Sequence, residues 1–386
     1  MIFPKRAPRP DRPARVRRSA PFPVSDHSDG RRFHNVSGSA GKHRVLAFFR
    51  WTATRHLQLR KGRRASAIAV EPASRATEPD ERLPIPLPRL EGAPQDRNTA
   101  TGAAAPGSLL VTWVGHSTLL VQMDGVNLLT DPIWSERCSP LAFAGPRRRN
   151  PPGLVLEELP RIDLVIVSHN HYDHLDLPTV RKLAERHDPL FVVPLGVAAW
   201  FRRRKLHRVV ELDWWQSTEH AGLTVHATPA QHFSGRSPWD ANKTLWVSFV
   251  VEGAAGRFFF GGDTGYGPHF AEIGRRLGPM RLAAIPIGAY SPRWFMAPVH
   301  IDPEQAVQAH LDLCSRQSIG IHFGTFKLTD EPMEEPPVLL RECLDVRGID
   351  RDLFWVPVLG RTWAVPKRIA PERELAEPVL ALATAK

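Results

Sequence analysis

The sequence predicts an α/β protein in which layered β-sheets carry helices on their outer faces. Residues 109–130 contain three short runs rich in β-branched and other apolar residues, as strands usually are. The last two runs are separated by Asp124-Gly125, a dipeptide that favours a tight hairpin turn. Beyond residue 160, further runs alternate with segments of helical periodicity. Strands that dominate first and then alternate with helices are typical of layered α/β folds.

The individual elements follow from the same patterns. Residues 303–314 form the clearest helix, because Asp302 is a favoured N-cap and Pro303 suits the first helical position. A second helix is predicted over residues 177–187. The predicted strands, in chain order, are LLVTWV, TLLVQM, VNLLT, DLVIVS, LFVV, LTVHAT, LWVSFVV, RFFFGG, LAAIPI and SIGIHF.

Composition divides the 386 residues into four parts. Residues 1–30 are rich in Arg and Pro and are predicted to be a disordered basic leader. Residues 31–107, which carry few core-forming runs, are interpreted as an N-terminal extension and linker. Residues 108–365 are predicted to form the globular domain, and residues 366–386 a C-terminal tail.

Positive charge is concentrated at the start of the chain. Residues 1–66 contain 17 Lys and Arg but only three Asp and Glu, whereas the remaining 320 residues contain 34 and 37. Such a leader can contact anionic lipid or nucleic acid, or remain a solvated tail. The remainder is nearly neutral and contains no recognisable RNA-binding module, so we expect no nucleic-acid partner.

Cysteine usage and hydropathy favour a cytoplasmic protein. Cys138, Cys314 and Cys343 are odd in number and far apart, which argues against a disulfide framework. No apolar run approaches the ~18 residues that a membrane-spanning helix needs. We therefore expect a cytoplasmic chain, and the sequence leaves open both peripheral contact with a membrane and a homodimer.

The stretch SHNHYDH directly follows a predicted buried strand and concentrates metal-binding side chains. Alternate residues of a strand share one face, so extension past the strand end would point His169, His171 and Asp173 the same way. The following turn would then bring in His174. One ion cannot easily take four ligands from so short a segment, but two neighbouring ions can share them. Imidazole suits zinc, and the absence of thiolates argues against a structural zinc site.

Three more predicted strands end on a single ionisable residue each. His232, Asp263 and His322 follow apolar runs, and two glycines precede the aspartate. Taken singly, each is compatible with a hydrogen-bonded histidine or a helix-capping aspartate. Taken in order after the first motif, they are candidates for the remaining metal ligands.

This order of ligands resembles the metallo-β-lactamase superfamily. The resemblance becomes closer with the N-acylphosphatidylethanolamine-hydrolysing phospholipase D group and its bacterial relatives. It is carried by the segments TWVGHSTLLVQMDGVNLLTDPIWSERCSP, HNHYDHLDL, FFFGGDTGYGPHF, HIDPEQAVQAH and IHFGTF. It implies a four-layer αββα sandwich, with the metallo-β-lactamase domain over residues 108–365 and a dinuclear zinc centre in the cleft between the sheets.

The resemblance also implies a ligand set and a chemistry. One ion would be held by His169, His171 and His232, the other by Asp173, His174 and His322, and Asp263 would bridge them. A hydroxide bridging two zinc ions would attack the phosphorus of a phosphodiester, with Asp173 orienting the hydroxide or accepting its proton. The substrate class implied is an N-acylphosphatidylethanolamine-like phospholipid or another phosphodiester.

Four further residues are candidates for weaker roles. Asp131 is interpreted as a support that orients a ligand histidine, or as a turn-forming residue before Pro132. His116, near the cleft, and His300 are candidates for substrate binding. His300 would contact substrate phosphate, and packing at the helix entry is its alternative role. Tyr266 is predicted either to donate a hydrogen bond to phosphate or to cover the site.

Two other enzyme classes remain open. The same centre could serve a lactonase or a cyclic phosphodiesterase acting on a small cytosolic substrate, in which case the pocket should be small and polar. A redox di-iron centre also occurs in the superfamily, with a carboxylate where His171 stands, so His171 favours zinc hydrolysis.

Overall fold

The computed structural model describes residues 20–36, 104–237 and 239–367. The domain contains two seven-stranded mixed sheets, and a two-stranded hairpin lies near the start of the chain. The hairpin strands are β1 (Val24–Ser25) and β2 (Ser28–Asp29). The first sheet has the spatial order β16 (Thr362–Ala364), β3 (Leu109–Gly115), β4 (Thr118–Met123), β5 (Val126–Thr130), β6 (Leu164–Ile166), β7 (Leu190–Pro194), β8 (Val209–Leu212). The second has the order β15 (Phe354–Trp355), β14 (Ser318–Ile321), β13 (Leu282–Pro286), β12 (Gly256–Phe260), β11 (Ser248–Gly253), β10 (Leu223–Thr228), β9 (Ser217–His220).

Six α-helices are described within these residues. Asp302 caps the fifth by accepting a hydrogen bond from the Gln305 N–H, which confirms the predicted helix start. Among the described residues, no helix combines the length and apolar character needed to cross a bilayer. The helices are α1 (Leu177–His187), α2 (Ala198–Arg202), α3 (His269–Leu277), α4 (Arg293–Met296), α5 (Pro303–Asp312) and α6 (Glu335–Val346).

Both sheets begin with antiparallel hairpins and continue with parallel strands. Strands β3 to β5 are antiparallel, whereas β5 to β8 are parallel. Likewise β9 to β12 are antiparallel and β12 to β15 parallel. The predicted Asp124-Gly125 hairpin turn is confirmed, and both residues have the positive φ that a type I′ turn requires, 52° and 84°. The carboxyl ends of the parallel strands consequently meet at one edge of each sheet.

Alternating side chains on β6 show the layering. Leu164 and Ile166 belong to the core between the two sheets, whereas Val165 belongs to a second core. That second core includes Val180 and Leu183 of α1, so a helix covers the outer face of the first sheet. Helices α3, α5 and α6 contribute buried apolar residues beside the second sheet. The predicted four-layer αββα sandwich is therefore confirmed.

Residues 20–36, called the arm below, pack on the domain. The composition predicts disorder for residues 20–30, but here they form the β1–β2 hairpin, so this part of the prediction is corrected. The reason is an anchor just beyond them: the Phe33 ring is 2% exposed and belongs to the larger hydrophobic core of the domain. Residues 1–19, 37–103 and 368–386 lie outside the described residues, so the predicted leader, linker and tail boundaries remain predictions.

His27 fastens the arm through two carboxylates. Its Nδ1 lies 2.6 Å from Asp26 Oδ1, and its Nε2 lies 2.8 Å from Asp213 Oδ1 at the end of β8. The ring also stacks on Trp214, with centroids 4.2 Å apart. Burial favours a lower pKa for His27, but the hydrogen bonds to Asp213 and Asp26 prevail and raise the pKa above its usual value of 6.5.

Arm attachment is expected to weaken as the pH rises. A raised histidine pKa means that the stabilisation is complete below about pH 6.5 and is lost as the pH rises through the folded-state pKa. The difference in free energy of unfolding between wild type and His27→Gln should therefore shrink as the pH rises above about 6.5. Urea unfolding at several pH values measures this difference, and a constant value would contradict the role given to His27.

Candidate metal centre

The SHNHYDH segment forms the loop between β6 and α1. Strand β6 ends at Ile166, and a turn begins at His171, whose carbonyl accepts hydrogen bonds from the N–H groups of His174 and Leu175. The extension expected from sequence therefore stops before Asp173. As a consequence, the loop divides its side chains between two neighbouring groups instead of presenting them on one face.

The first group consists of three imidazoles. His169 Nε2 lies 2.7 Å from His171 Nδ1, which in turn lies 3.3 Å from His232 Nε2. The His232 residue comes from the loop after β10, so both sheets contribute to the group. All three nitrogens lie close enough to ligate one ion.

The second group combines a carboxylate with imidazoles. Asp173 Oδ2 lies 3.3 Å from His174 Nε2 and 3.6 Å from His322 Nε2. His322 directly follows β14 and has a φ of 61°, a left-handed conformation that turns the chain sharply at the strand end. His116 Nε2 also lies 3.1 Å from Asp173 Oδ2, so four side chains meet here.

Asp263 lies between the two groups and contacts both. Its Oδ2 is 3.9 Å from His169 Nε2 and 3.7 Å from His232 Nε2. Its Oδ1 is 3.1 Å from His322 Nε2 in the second group. The structure thus brings all seven predicted ligand residues together, in the two sets that the resemblance implies. They are His169, His171, Asp173, His174, His232, Asp263 and His322.

The donor atoms are arranged in a way that favours binding a cation over hydrogen bonding among themselves. His174 Nε2, His322 Nε2 and Asp263 Oδ1 are buried and have no hydrogen-bond partner among the described residues. Two nitrogens bound to one tetrahedral zinc at about 2.0–2.1 Å would lie about 3.4 Å apart. The contacts of 2.7–3.9 Å bracket that value. Two clusters of His and Asp able to bind metal are therefore present.

Electrostatics prepares the centre for positive charge. Burial favours neutral Asp263, but His174 and His322 hold the pKa of its carboxyl well below the usual range. Burial likewise opposes charge on His322, yet Asp263 and Asp173 raise the pKa of its imidazole to about 9. A metal ion must displace these protons, so its affinity should increase with pH.

Asp131 supports ligands in both groups. Its Oδ2 lies 2.6 Å from His174 Nδ1, and its Oδ1 accepts a hydrogen bond of 2.7 Å from the Ser168 N–H. The Ser168 hydroxyl donates to Asp131 Oδ2 at 2.5 Å and lies 2.9 Å from His169 Nδ1. The orienting contact predicted for Asp131 is therefore present. Sequence reasoning missed Ser168, although its place at the start of the SHNHYDH segment was a signal.

The structure gives the other predicted residues different positions. His116 is 1% exposed and lies beside Asp173 in the second group, and its predicted contact with substrate remains a prediction. His300 lies beside both groups, with ring centroids 5.1 Å from His232 and 5.4 Å from His322. Tyr266 is not brought to the centre: its hydroxyl donates a 2.6 Å hydrogen bond to Asp312 on α5.

Two mixed sheets that enclose adjoining His/Asp groups at their carboxyl edge define a metal-dependent hydrolase of the metallo-β-lactamase fold. A family model described as the beta-lactamase superfamily domain matches residues 126–323, so the chain belongs to that superfamily.

Sequence similarity to individual proteins indicates a group within the superfamily. The chain is 41% identical over 302 residues to the N-acyl-phosphatidylethanolamine-hydrolyzing phospholipase D 1 of Caenorhabditis elegans, covering 75% of this chain and 85% of the relative. It is 36% identical over 258 residues to the mitochondrial phospholipase D of the same description from Saccharomyces cerevisiae, covering 65% of this chain and 55% of the relative. Among solved structures, isothiocyanate hydrolase from Delia radicum gut bacteria matches with a TM-score of 0.53 at 21% identity, covering 66% of this chain and 98% of that one, and supports the fold alone.

Proposed function

We propose that this protein is a zinc-dependent phosphodiesterase of the phospholipase D type that hydrolyses N-acylphosphatidylethanolamine-like phospholipids. The observation that carries the proposal is the position of Asp263 between two adjoining ligand groups, 3.7 Å from His232 and 3.1 Å from His322. The relatives named above support the substrate class, since two of them carry this activity in their names.

The residues of the chain suit in-line hydrolysis. When bound, two zinc ions would lower the pKa of a water molecule and neutralise charge on phosphoryl oxygens. Every contact of Asp173 described above uses Oδ2, and its side chain is 14% exposed, so Oδ1 can accept a proton from the attacking water. His300, beside both groups, can donate a hydrogen bond to a phosphoryl oxygen.

A single activity screen tests the proposal against its alternative. The zinc-loaded protein is assayed with N-acylphosphatidylethanolamine in mixed micelles, a cyclic nucleotide and an acyl-homoserine lactone, while elemental analysis measures bound metal. We expect about two zinc per chain and turnover of the lipid with release of phosphatidic acid. Turnover confined to the cyclic nucleotide or the lactone would favour the small-substrate hydrolase, and a chain purified without bound metal would contradict both.

We further propose peripheral contact between the edge that holds the centre and a membrane surface. Three aromatic side chains at this edge are exposed: Phe143 (80%), Trp239 (80%) and Trp294 (51%). Phe143 and Trp239 belong to the loops that follow β5 and β10, and Trp294 belongs to the short helix α4 that follows β13, so all three come after the same strand ends as the ligands. Trp is favoured at membrane interfaces because its ring combines apolar area with a polar N–H. A lipid substrate would then reach the cleft from the bilayer.

Vesicle binding should depend on these aromatic residues. Replacing Phe143, Trp239 and Trp294 together by Ser is expected to lower binding to phosphatidylethanolamine/phosphatidylglycerol vesicles at least about tenfold, because each buried ring contributes on the order of 1–2 kcal/mol. Val346→Ser, on the 88%-exposed end of α6, is the matched control and should bind normally. Sedimentation with vesicles measures the effect, and equal binding by both variants would overturn the proposed orientation.

A further inference from the structure

The side chain of Asn35, in the arm, forms a two-bond pair with the backbone of a predicted metal ligand. Its Nδ2 donates to the His232 carbonyl at 3.0 Å, and its Oδ1 accepts from the His232 N–H at 3.1 Å. The same Oδ1 accepts from Trp246 Nε1 at 3.0 Å. Asn35 is 9% exposed, so water competes little for these hydrogen bonds.

The arm presents this amide rigidly. Phe33 is buried in the larger hydrophobic core of the domain, and its N–H donates to the Asn242 carbonyl at 2.9 Å. The next residue, His34, donates its N–H to the His27 carbonyl at 2.9 Å, which ties the arm to its own hairpin. Asn35 is therefore held from both the core and the arm, and its amide cannot easily rotate away from His232.

The His232 backbone needs such a partner because of where it lies. Strand β10 ends at Thr228 and β11 begins at Ser248, so His232 lies in the irregular loop between two paired strands. Sheet hydrogen bonds end before they reach it. The Asn35 amide supplies one acceptor and one donor to the same residue, as a neighbouring strand would. The His232 imidazole is fixed separately, since its Nδ1 donates to the Val299 carbonyl at 2.9 Å.

We propose that Asn35 is a positioning residue: it fixes the backbone of His232, and through it the three-imidazole group, so that the arm is a functional part of the centre. The inference rests on the ligand role proposed for His232. The proposed role concerns the first ligand group and not the second. The described hydrogen bonds of Asn35 reach His232 and Trp246, whereas none reaches the second-group residues Asp173, His174 and His322. Loss of the Asn35 amide should thus impair one metal site more than the other.

Zinc titration against a chromophoric chelator tests the proposal without any substrate. Asn35→Ala is expected to weaken one of two zinc-binding steps about 10–100-fold, the usual effect of losing a support for a metal ligand. Asn35→Asp keeps the Oδ1 acceptor and should fall between Ala and wild type. Val36→Ala, at the exposed neighbouring position, is the control and should leave both steps unchanged.

Amide hydrogen exchange on the metal-free protein supplies a second, independent readout. The His232 N–H should exchange at least about tenfold faster in Asn35→Ala than in wild type or Val36→Ala, because its acceptor is gone. Unchanged exchange, or equal weakening of both zinc-binding steps, would overturn the proposal. Failure of the lipid activity screen would leave this result intact, because neither measurement uses a substrate, and exchange at His232 requires no metal.

Discussion

Asp263→Ala is expected to abolish detectable phosphodiester hydrolysis and to remove most of the bound metal. Asp263 lies within 4 Å of ligand nitrogens in both groups. Removing Asp263 takes an anionic metal donor from each group. The substitution also removes negative charge that stabilises the protonated imidazoles of His174 and His322. Reporter assays with bis-p-nitrophenyl phosphate and elemental analysis measure the two losses. His171→Ala, which removes a donor from the first group, should behave in the same way.

The fold should survive the Asp263 substitution. Alanine removes a buried ion-pair partner of His174 and His322, which should lower stability, but it takes no apolar side chain from either hydrophobic core. Circular dichroism of the variant should match that of wild type. Asp345→Ala provides the matched control, since Asp345 is an exposed residue of α6 paired with Arg351. Full activity in Asp263→Ala, or equal loss in Asp345→Ala, would refute the assignment of the centre.

Asp131→Ala is expected to reduce both stability and metal affinity. The carboxylate is fully buried and contacts His174 directly and His169 through Ser168. Breaking a buried charged pair by removing one partner typically costs about 3–5 kcal/mol in the free energy of unfolding. Loss of a support for metal ligands typically weakens binding about 10–100-fold. Because Asp131 supports both groups, both zinc-binding steps should weaken, unlike the single step expected for Asn35→Ala.

Asp131→Asn separates the two effects. The amide can still accept from the Ser168 N–H, so stability should fall less than in the alanine variant. It cannot supply negative charge to His174, whose pKa the carboxylates of Asp263, Asp173 and Asp131 raise well above 6.5 against the opposing effect of burial. Urea unfolding and zinc titration measure the two quantities separately. Equal stability of wild type and Asp131→Ala would contradict the supporting role.

The sequence predicted much of the sandwich because its central strands contain continuous apolar runs. The run FVV in β11 and the three phenylalanines of β12 are examples, since strand segments covered on both faces leave little room for polar residues. The peripheral strands were missed. Strand β9 (STEH) is polar, and β15 and β16 are only two and three residues long, so neither length nor periodicity marks them.

The ligand residues were predictable because each follows an apolar run that marks a buried strand. A lone His or Asp directly after a buried strand can be read from the chain, as His322 and Asp263 show. What the sequence did not reveal depends on side-chain direction across the fold. The Tyr266 hydroxyl donates a hydrogen bond to Asp312 on α5, and the Asn35 amide is hydrogen-bonded to His232, 197 positions away. No local pattern encodes either pairing.

The distance along the chain between the arm and its partners has a consequence for biosynthesis. His27 and Asn35 meet residues that lie 186 and 197 positions later in the chain. A ribosome adds about 5–20 residues per second, so the arm emerges on the order of ten seconds or more before its docking surface exists. Contacts of such separation also carry a large loop-closure cost. The sandwich can therefore collapse first, and under the role proposed for Asn35 the metal centre reaches its full affinity only after the arm has docked beside His232.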